Sequence, residues 1–205
     1  MNNFCSKTHW ENRYSRGGNS GKGSQGKLLD FKAMVINDYI RKYGIKSVID
    51  LGCGDGALAY QLQCRVYLGY DVSQAAVNMC KAANKRGSGK YFFLYEAYCG
   101  EVGDLALSCD VIYHLVEDQV FEDYMATLFG AANDHIIIYS SNNENNAGVS
   151  QHVRHRLFTK WVKNNRPDWE LVGYRENNFS FYKGNPNGSY SDFYFYRKKE
   201  GEHKC

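Results

Sequence analysis

The run Ser47-Val48-Ile49-Asp50-Leu51 passes directly into Gly52-Cys53-Gly54-Asp55-Gly56, and no other stretch narrows the possible folds as much. Five apolar or small residues followed by alternating glycines read as a buried strand ending in a tight turn. Glycine lets such a turn form and lets a ligand approach the backbone closely. A second apolar run, Val66–Asp71, ends on an acid 21 residues after Asp50. A carboxylate at that place can bond both hydroxyls of a ribose. In an open parallel sheet, ligands bind beyond the carboxyl ends of the strands. The two runs together therefore predict a site for a nucleoside-containing ligand.

The flanking pattern extends this frame. Leu28, Phe31, Val35, Tyr39 and Ile40 recur at helical spacing over Lys27–Tyr43, and Gly44 supplies the stop. A helix is expected to begin over Ala57–Leu62, and Ser73 to cap another running to about Arg86. Lys90–Tyr98, Leu105–Ser108 and His135–Ser141 read as further strands, with a helix over Gln119–Phe129. Such alternation predicts a mostly parallel sheet with right-handed crossovers. Phe158–Asn164 reads as a helix ended by Pro167. Trp169–Tyr174 and Asp192–Arg197 read as strands around the polar stretch Asn177–Ser191, an antiparallel pair added to the sheet. Lys198–Cys205 reads as a frayed end.

A chain of 205 residues, 43% hydrophobic and 23% charged, fits one domain. Its expected parts are a Gly/Ser-rich lead-in (1–26), a cofactor-binding core (27–150) and an acceptor-side segment (151–205). A net charge of +3 is too small to imply nucleic acid or a membrane as partner. No apolar run approaches the roughly 20 residues of a membrane span. Residues 1–10 are too polar for a signal peptide or anchor. The seven cysteines form no C-x-x-C or zinc spacing, so a reducing, cytoplasmic setting is expected.

The charge of the glycine loop chooses between two cofactor classes. Dinucleotide enzymes set a pyrophosphate against G-x-G-x-x-G, but this loop is D-x-G-x-G-x-G, with Asp50 before it and Asp55 inside it. Those acids repel a pyrophosphate and suit a cation. S-adenosyl-L-methionine carries both a sulfonium and an ammonium. The segment Val48–Gly56 resembles the signature loop of class I S-adenosylmethionine-dependent methyltransferases, and the resemblance continues through Tyr70-Asp71, Tyr95-Glu96-Ala97 and Asp104–Leu115. It implies a Rossmann-like α/β fold: a seven-stranded, mostly parallel sheet of order 3-2-1-4-5-7-6 with helices on both faces. It implies that Asp50, Gly52, Cys53, Gly54, Gly56, Asp71 and Val72 contact the cofactor, and that Glu96 and Ala97 face its adenine. Asp110 would lie near the methyl-transfer centre, and S-adenosyl-L-homocysteine would be the product. Gly17–Gly21, His114–Asp118 and His152–Arg156 further resemble a subgroup found beside glycosyltransferases in polysaccharide-building systems, which implies a sugar hydroxyl as acceptor.

An alcohol acceptor needs a base to take its proton. Histidine suits that task near neutrality. His114 follows the fourth strand on the cofactor side and is the first candidate, with Asp110 to orient it or bind the acceptor. The alternative is that His114 only packs over the cofactor. His152 and His155 are further candidates, in a segment where Arg154 and Arg156, with Asn142, suit hydroxyls or a phosphate. Residues 11–26 read as a flexible lead-in, or, over 13–26, as a lid from which Arg13 or Tyr14 touches the methionine carboxylate. A metal is not expected, because Ser141-Asn142-Asn143 lacks the second acid that metal-assisted O-methyltransferases carry. Nucleic acid is not expected either, because Ser108-Cys109-Asp110-Val111 lacks the Pro-Pro-aromatic motif of amino-methylating DNA enzymes. An RNA or protein methyltransferase and a non-catalytic S-adenosylmethionine-binding module are the competing functions.

Overall fold

A computed structural model describes residues 4–181 and 188–200. Residues 182–187 of the polar stretch and 201–205 of the expected frayed end lie outside them, as do 1–3. Seven strands form one sheet: β1 (Ser47–Leu51), β2 (Val66–Asp71), β3 (Lys90–Leu94), β4 (Gly103–Cys109), β5 (Ala132–Ser140), β6 (Trp169–Arg175) and β7 (Asp192–Lys198). Their order is β3-β2-β1-β4-β5-β7-β6, as the resemblance implies. All pairs are parallel except those that β7 makes with β5 and β6.

Strand alternation divides the core in two. Val48, Leu105, Leu107, Ile137 and Tyr139 face α2 (Gly26–Tyr43) and α3 (Gln74–Ala83). Ile49, Leu51, Ala106, Ile136 and Ile138 face α4 (Asp118–Gly130) and α5 (Phe158–Asn165). With both faces covered, ligand access is left to the ends of the strands. None of the helices is long and apolar enough to cross a membrane, among the described residues.

Four expectations change. The helix expected from Ala57 is only a 3-10 turn, Ala59–Gln61. Few residues separate Gly56 from β2, and helix nucleation is costly for so short a piece. The third strand ends at Leu94 rather than Tyr98, because its one neighbour, β2, ends opposite it at Asp71. The chain then turns through Tyr95–Ala97. The helix capped by Ser73 stops at Ala83, where the Asn84 amide turns to bond Lys90 O at 2.7 Å.

The largest change is at the start of the chain. The expected loose lead-in contains a helix, α1 (Ser6–Ser15), laid across the carboxyl end of the sheet. It has no apolar stripe of the kind that announces a helix. Polar anchors hold it instead. Glu117 accepts bonds from both the backbone N–H and the hydroxyl of Ser6. Glu11 accepts from Ser73 Oγ at 2.8 Å and from the Ala75 N–H at 3.3 Å.

Candidate active site

A cavity of about 480 Å³ opens where β1, β2 and β4 end. Its floor is Asp50, Gly52, Cys53, Gly54, Asp71 and Val72; α1 and the segment after it form its roof through Trp10, Tyr14, Ser20 and Ser24. Gly52, Gly54 and Gly56 all have positive φ, at 90°, 57° and 76°. A Cβ on Gly54 would lie 2.9 Å from the Tyr14 hydroxyl and collide with Ser20 Oγ; one on Gly52 would strike Val111. The bare backbone is thus required at Gly54 by the closeness of the roof and at Gly52 by the turn after β4.

Asp71 shapes the loop as well as facing the cavity. Its two oxygens accept the N–H groups of Gly54 (2.8 Å) and Ser73 (2.9 Å). Asp50 accepts a bond from the Tyr67 hydroxyl at 2.5 Å through Oδ2, while its Oδ1 is buried with no donor. Burial pushes both carboxyls up to about 6. Seven carboxylates line the cavity (Asp50, Asp55, Asp71, Glu96, Asp110, Glu117, Asp123) against two lysines, Lys7 and Lys32. Such a wall favours a cation and opposes a pyrophosphate.

The roof is latched to the glycine loop. The Ser20 N–H donates to Asp55 Oδ2 at 3.0 Å, the Asp55 N–H donates back to Ser20 Oγ at 3.1 Å, and the Tyr14 hydroxyl lies 2.9 Å from the same oxygen.

Asp110 is the one described non-glycine residue with positive φ, at 60°. Strained backbone of this kind persists where the surroundings over-determine it. Here Lys32 Nζ donates to its Oδ2 at 2.7 Å, while Tyr113 OH (3.0 Å) and Ser191 Oγ (2.8 Å) donate to Oδ1. Lys32 is only 1% exposed. Held by three donors, Asp110 is bound to this network and makes no bond to His114. Lys32, Tyr113, Ser191 and Ser20 are the site residues that sequence reasoning missed. The lysine did leave a signal: position 32 falls on the apolar stripe 28, 31, 35, 39.

His114 lines the cavity, with Trp10 edge-on at 4.8 Å between ring centres. Its Nδ1 is 2.8 Å from the carbonyl oxygen of His152. A carbonyl only accepts, so Nδ1 carries the proton and Nε2 the lone pair. Burial pushes this imidazole down to about 4, so it is neutral at physiological pH.

Other candidates lie elsewhere. Glu96 reaches the cavity rim, where it pairs with Lys7, but Ala97 is exposed and outside the lining. Tyr14 is in the roof, whereas Arg13 turns away, donating to Asn19 O at 2.7 Å with its guanidinium over Trp10. His155 bonds Ser141 Oγ at 2.7 Å, and Asn142 is spent on Thr159 at the start of α5. Arg154 and Arg156 donate to the carbonyls of Leu115 and Val116 and pair with Asp118. These two arginines, with His155, border a separate groove of about 340 Å³ beside α5. The basic cluster thus braces the turn that carries His114 rather than lining the cavity. Among the described residues, no three His, Cys, Asp or Glu side chains are grouped to hold a metal ion.

No protein-family model and no curated protein matches the sequence. Solved structures do match. Magnesium protoporphyrin IX methyltransferase (ChlM) from Synechocystis PCC 6803, with bound SAM, aligns over 97% of this chain and all of its own, with TM-score 0.67 and 16% identity. The N-methyltransferase NodS from Bradyrhizobium japonicum WM9, in complex with S-adenosyl-l-homocysteine, aligns over 95% and 99%, with TM-score 0.72 and 13% identity. An rRNA methylase from Escherichia coli aligns over 95% and 76%, with TM-score 0.57 and 18% identity. Matched in strand order and over nearly its whole length, the chain has the fold of the class I S-adenosylmethionine-dependent methyltransferases.

Proposed function

We propose that the chain binds S-adenosyl-L-methionine in this cavity and transfers its methyl group to a hydroxyl of a small acceptor, a sugar or another polyhydroxylated molecule. The observation that carries the cofactor is the acidic floor, with Asp71 at the end of β2, the orphaned Asp50 Oδ1 and Gly54 too close to the roof for a Cβ. When bound, this cofactor supplies a methyl group already activated by a sulfonium, which leaves the protein mainly to align the acceptor. Asp71 would hold the ribose, and the carboxylates would balance the cationic charge. Beyond them Trp10 offers an apolar face and Ser24 a hydroxyl, a combination that suits a sugar ring. His114 Nε2 would accept the acceptor's proton.

The roof supports a small acceptor over nucleic acid, because α1 crosses the end of the cavity and the walls are acidic. The test combines calorimetry with S-adenosyl-L-homocysteine and transfer from methyl-labelled donor to a panel of monosaccharides, oligosaccharides, RNA and protein. Product binding and label on small hydroxyl compounds are expected. No binding would end the reading; binding without label on any acceptor would favour the non-catalytic module, and label on RNA would overturn the acceptor class. His114→Gln is expected to lower kcat by about 10²–10⁴-fold, the usual weight of a general base. Unchanged turnover with an unchanged pH profile would remove His114 from that role.

A further inference from the structure

Three imidazoles from three separate segments form a column beside the cavity. His9, on α1, lies face to face with His152, with ring centres 4.7 Å apart and planes 8° from parallel. His152 lies in turn on His114, at 5.5 Å and 19°. Phe4 and Trp10 flank His9, and Trp10 also meets His114 edge-on. The column runs from the roof helix, through the loop after β5, to the candidate base. His9 Nε2 is buried without a partner, so no carboxylate awaits a proton there.

We propose that His9 and His152 are positioning residues for His114, and that the column clamps α1 over the cavity only while its rings are neutral. The bond from His114 Nδ1 to the His152 carbonyl fixes the tautomer, and the stacked rings fix the plane of the imidazole. A proton on His9 Nε2 would be buried with no acceptor, a second proton on the column would set two cations face to face, and the surroundings add more positive charge than they offset. On α1, Arg13 faces both His9 and His152, and its charge disfavours their protonated forms. On the turn after β4, Asp110 favours the protonated form of His114, but Lys32 already pairs with it, and Glu117 is bonded to Ser6. Tyr113 of that turn donates to Asp110. The remaining charged groups of α1 face elsewhere: Lys7 pairs with Glu96, and Glu11 caps α3. Burial holds all three histidines below their ordinary value.

The sign follows from linkage. A histidine whose ring resists protonation in the closed form, and regains an ordinary value near 6.5 when released, stabilises closure above that pH and loses the contribution as pH falls. Each unit between the two values is a tenfold change in the closed-to-open ratio.

The catalytic consequence rests on the methyltransferase reading, but the clamp is tested without cofactor or acceptor. Amide exchange over Ser6–Ser15, corrected for the intrinsic pH dependence of exchange, is measured between pH 7.5 and 5.0 and compared with α2. In the wild type, protection of α1 is expected to fall about tenfold or more while α2 is unchanged. The double variant His9→Phe/His152→Phe keeps flat rings but cannot be protonated there, and its α1 protection is expected to be nearly independent of pH. A wild-type α1 whose protection does not change, or an equal fall in the double variant, overturns the clamp. Should the variant fold poorly, imidazole NMR titration of the wild type decides. His9 and His152 must then titrate together and below 6.5; independent titration at the ordinary value overturns the proposal. Absence of cofactor binding in a protein whose α1 opens with acid would sink the enzyme reading and leave the clamp intact.

Discussion

Lys32→Met is expected to destabilise the protein by about 3 kcal/mol, read from urea denaturation, because it strips the cation from a carboxylate that cannot leave. Asp110 is fixed by its positive φ and by Tyr113 and Ser191, so it stays under the roof whether or not Lys32 is charged. Breaking a buried pair on one side costs about 3–5 kcal/mol, chiefly through the uncompensated charge left behind. The two hydroxyl donors that remain on Asp110 place the expected loss at the lower end. The double variant Lys32→Met/Asp110→Asn removes that charge and is expected to recover more than half of the loss. If the double variant lost the sum of the two single losses, the residues would be energetically independent and the pairing incidental.

Asp71→Ala is expected to weaken S-adenosyl-L-homocysteine binding by about a hundredfold. The carboxylate would bond the ribose and already braces the loop through the Gly54 and Ser73 N–H groups. Two hydrogen bonds to a charged group at about 1.5 kcal/mol each correspond to roughly that factor. The same site gives the pH dependence its sign. Burial pushes the free carboxyls of Asp50 and Asp71 up to about 6, and a ligand that donates hydroxyls or brings positive charge favours their ionised forms. Affinity is therefore complete above about pH 6 and declines as pH falls through that value. Calorimetry between pH 5 and 8 should show the decline, and Asp71→Ala should make it shallower by removing one of the two groups. An affinity independent of pH would mean that neither carboxylate meets the ligand.

What the sequence disclosed follows from how local its causes are. β1 and β2 have the bounds read from their apolar runs, because a strand buried on both faces writes its length in consecutive apolar residues. The glycine loop was legible for the same reason: its positive φ angles belong to the residues that adopt them. The helix α1 was not legible, since the bonds that hold it reach Glu117 and Ser73, far along the chain. The basic run at 152–156 was misleading for a related reason. Its charges suit an acceptor, yet two of its arginines are occupied by carbonyls of the turn at Leu115 and Val116. That His114 lines the cavity was legible because position after a strand is a local signal; its tautomer, set by a carbonyl 38 residues away, was not.

A roof fastened by carboxylates and hydroxyls, with only Ser6 and Tyr14 of α1 buried, also sets the thermal character of its opening. Lifting it would expose Trp10, Tyr14 and the stacked rings of His9 and His152 to water, so the opening carries a positive heat-capacity change. Its equilibrium then follows a curved van't Hoff line, as the stability of the core beneath does. The uncovered face is lined by Leu58, Val72, Val111, Leu115 and Val120, so an open molecule presents an apolar patch to its neighbours. Repeated opening therefore carries a risk of aggregation that rises with protein concentration.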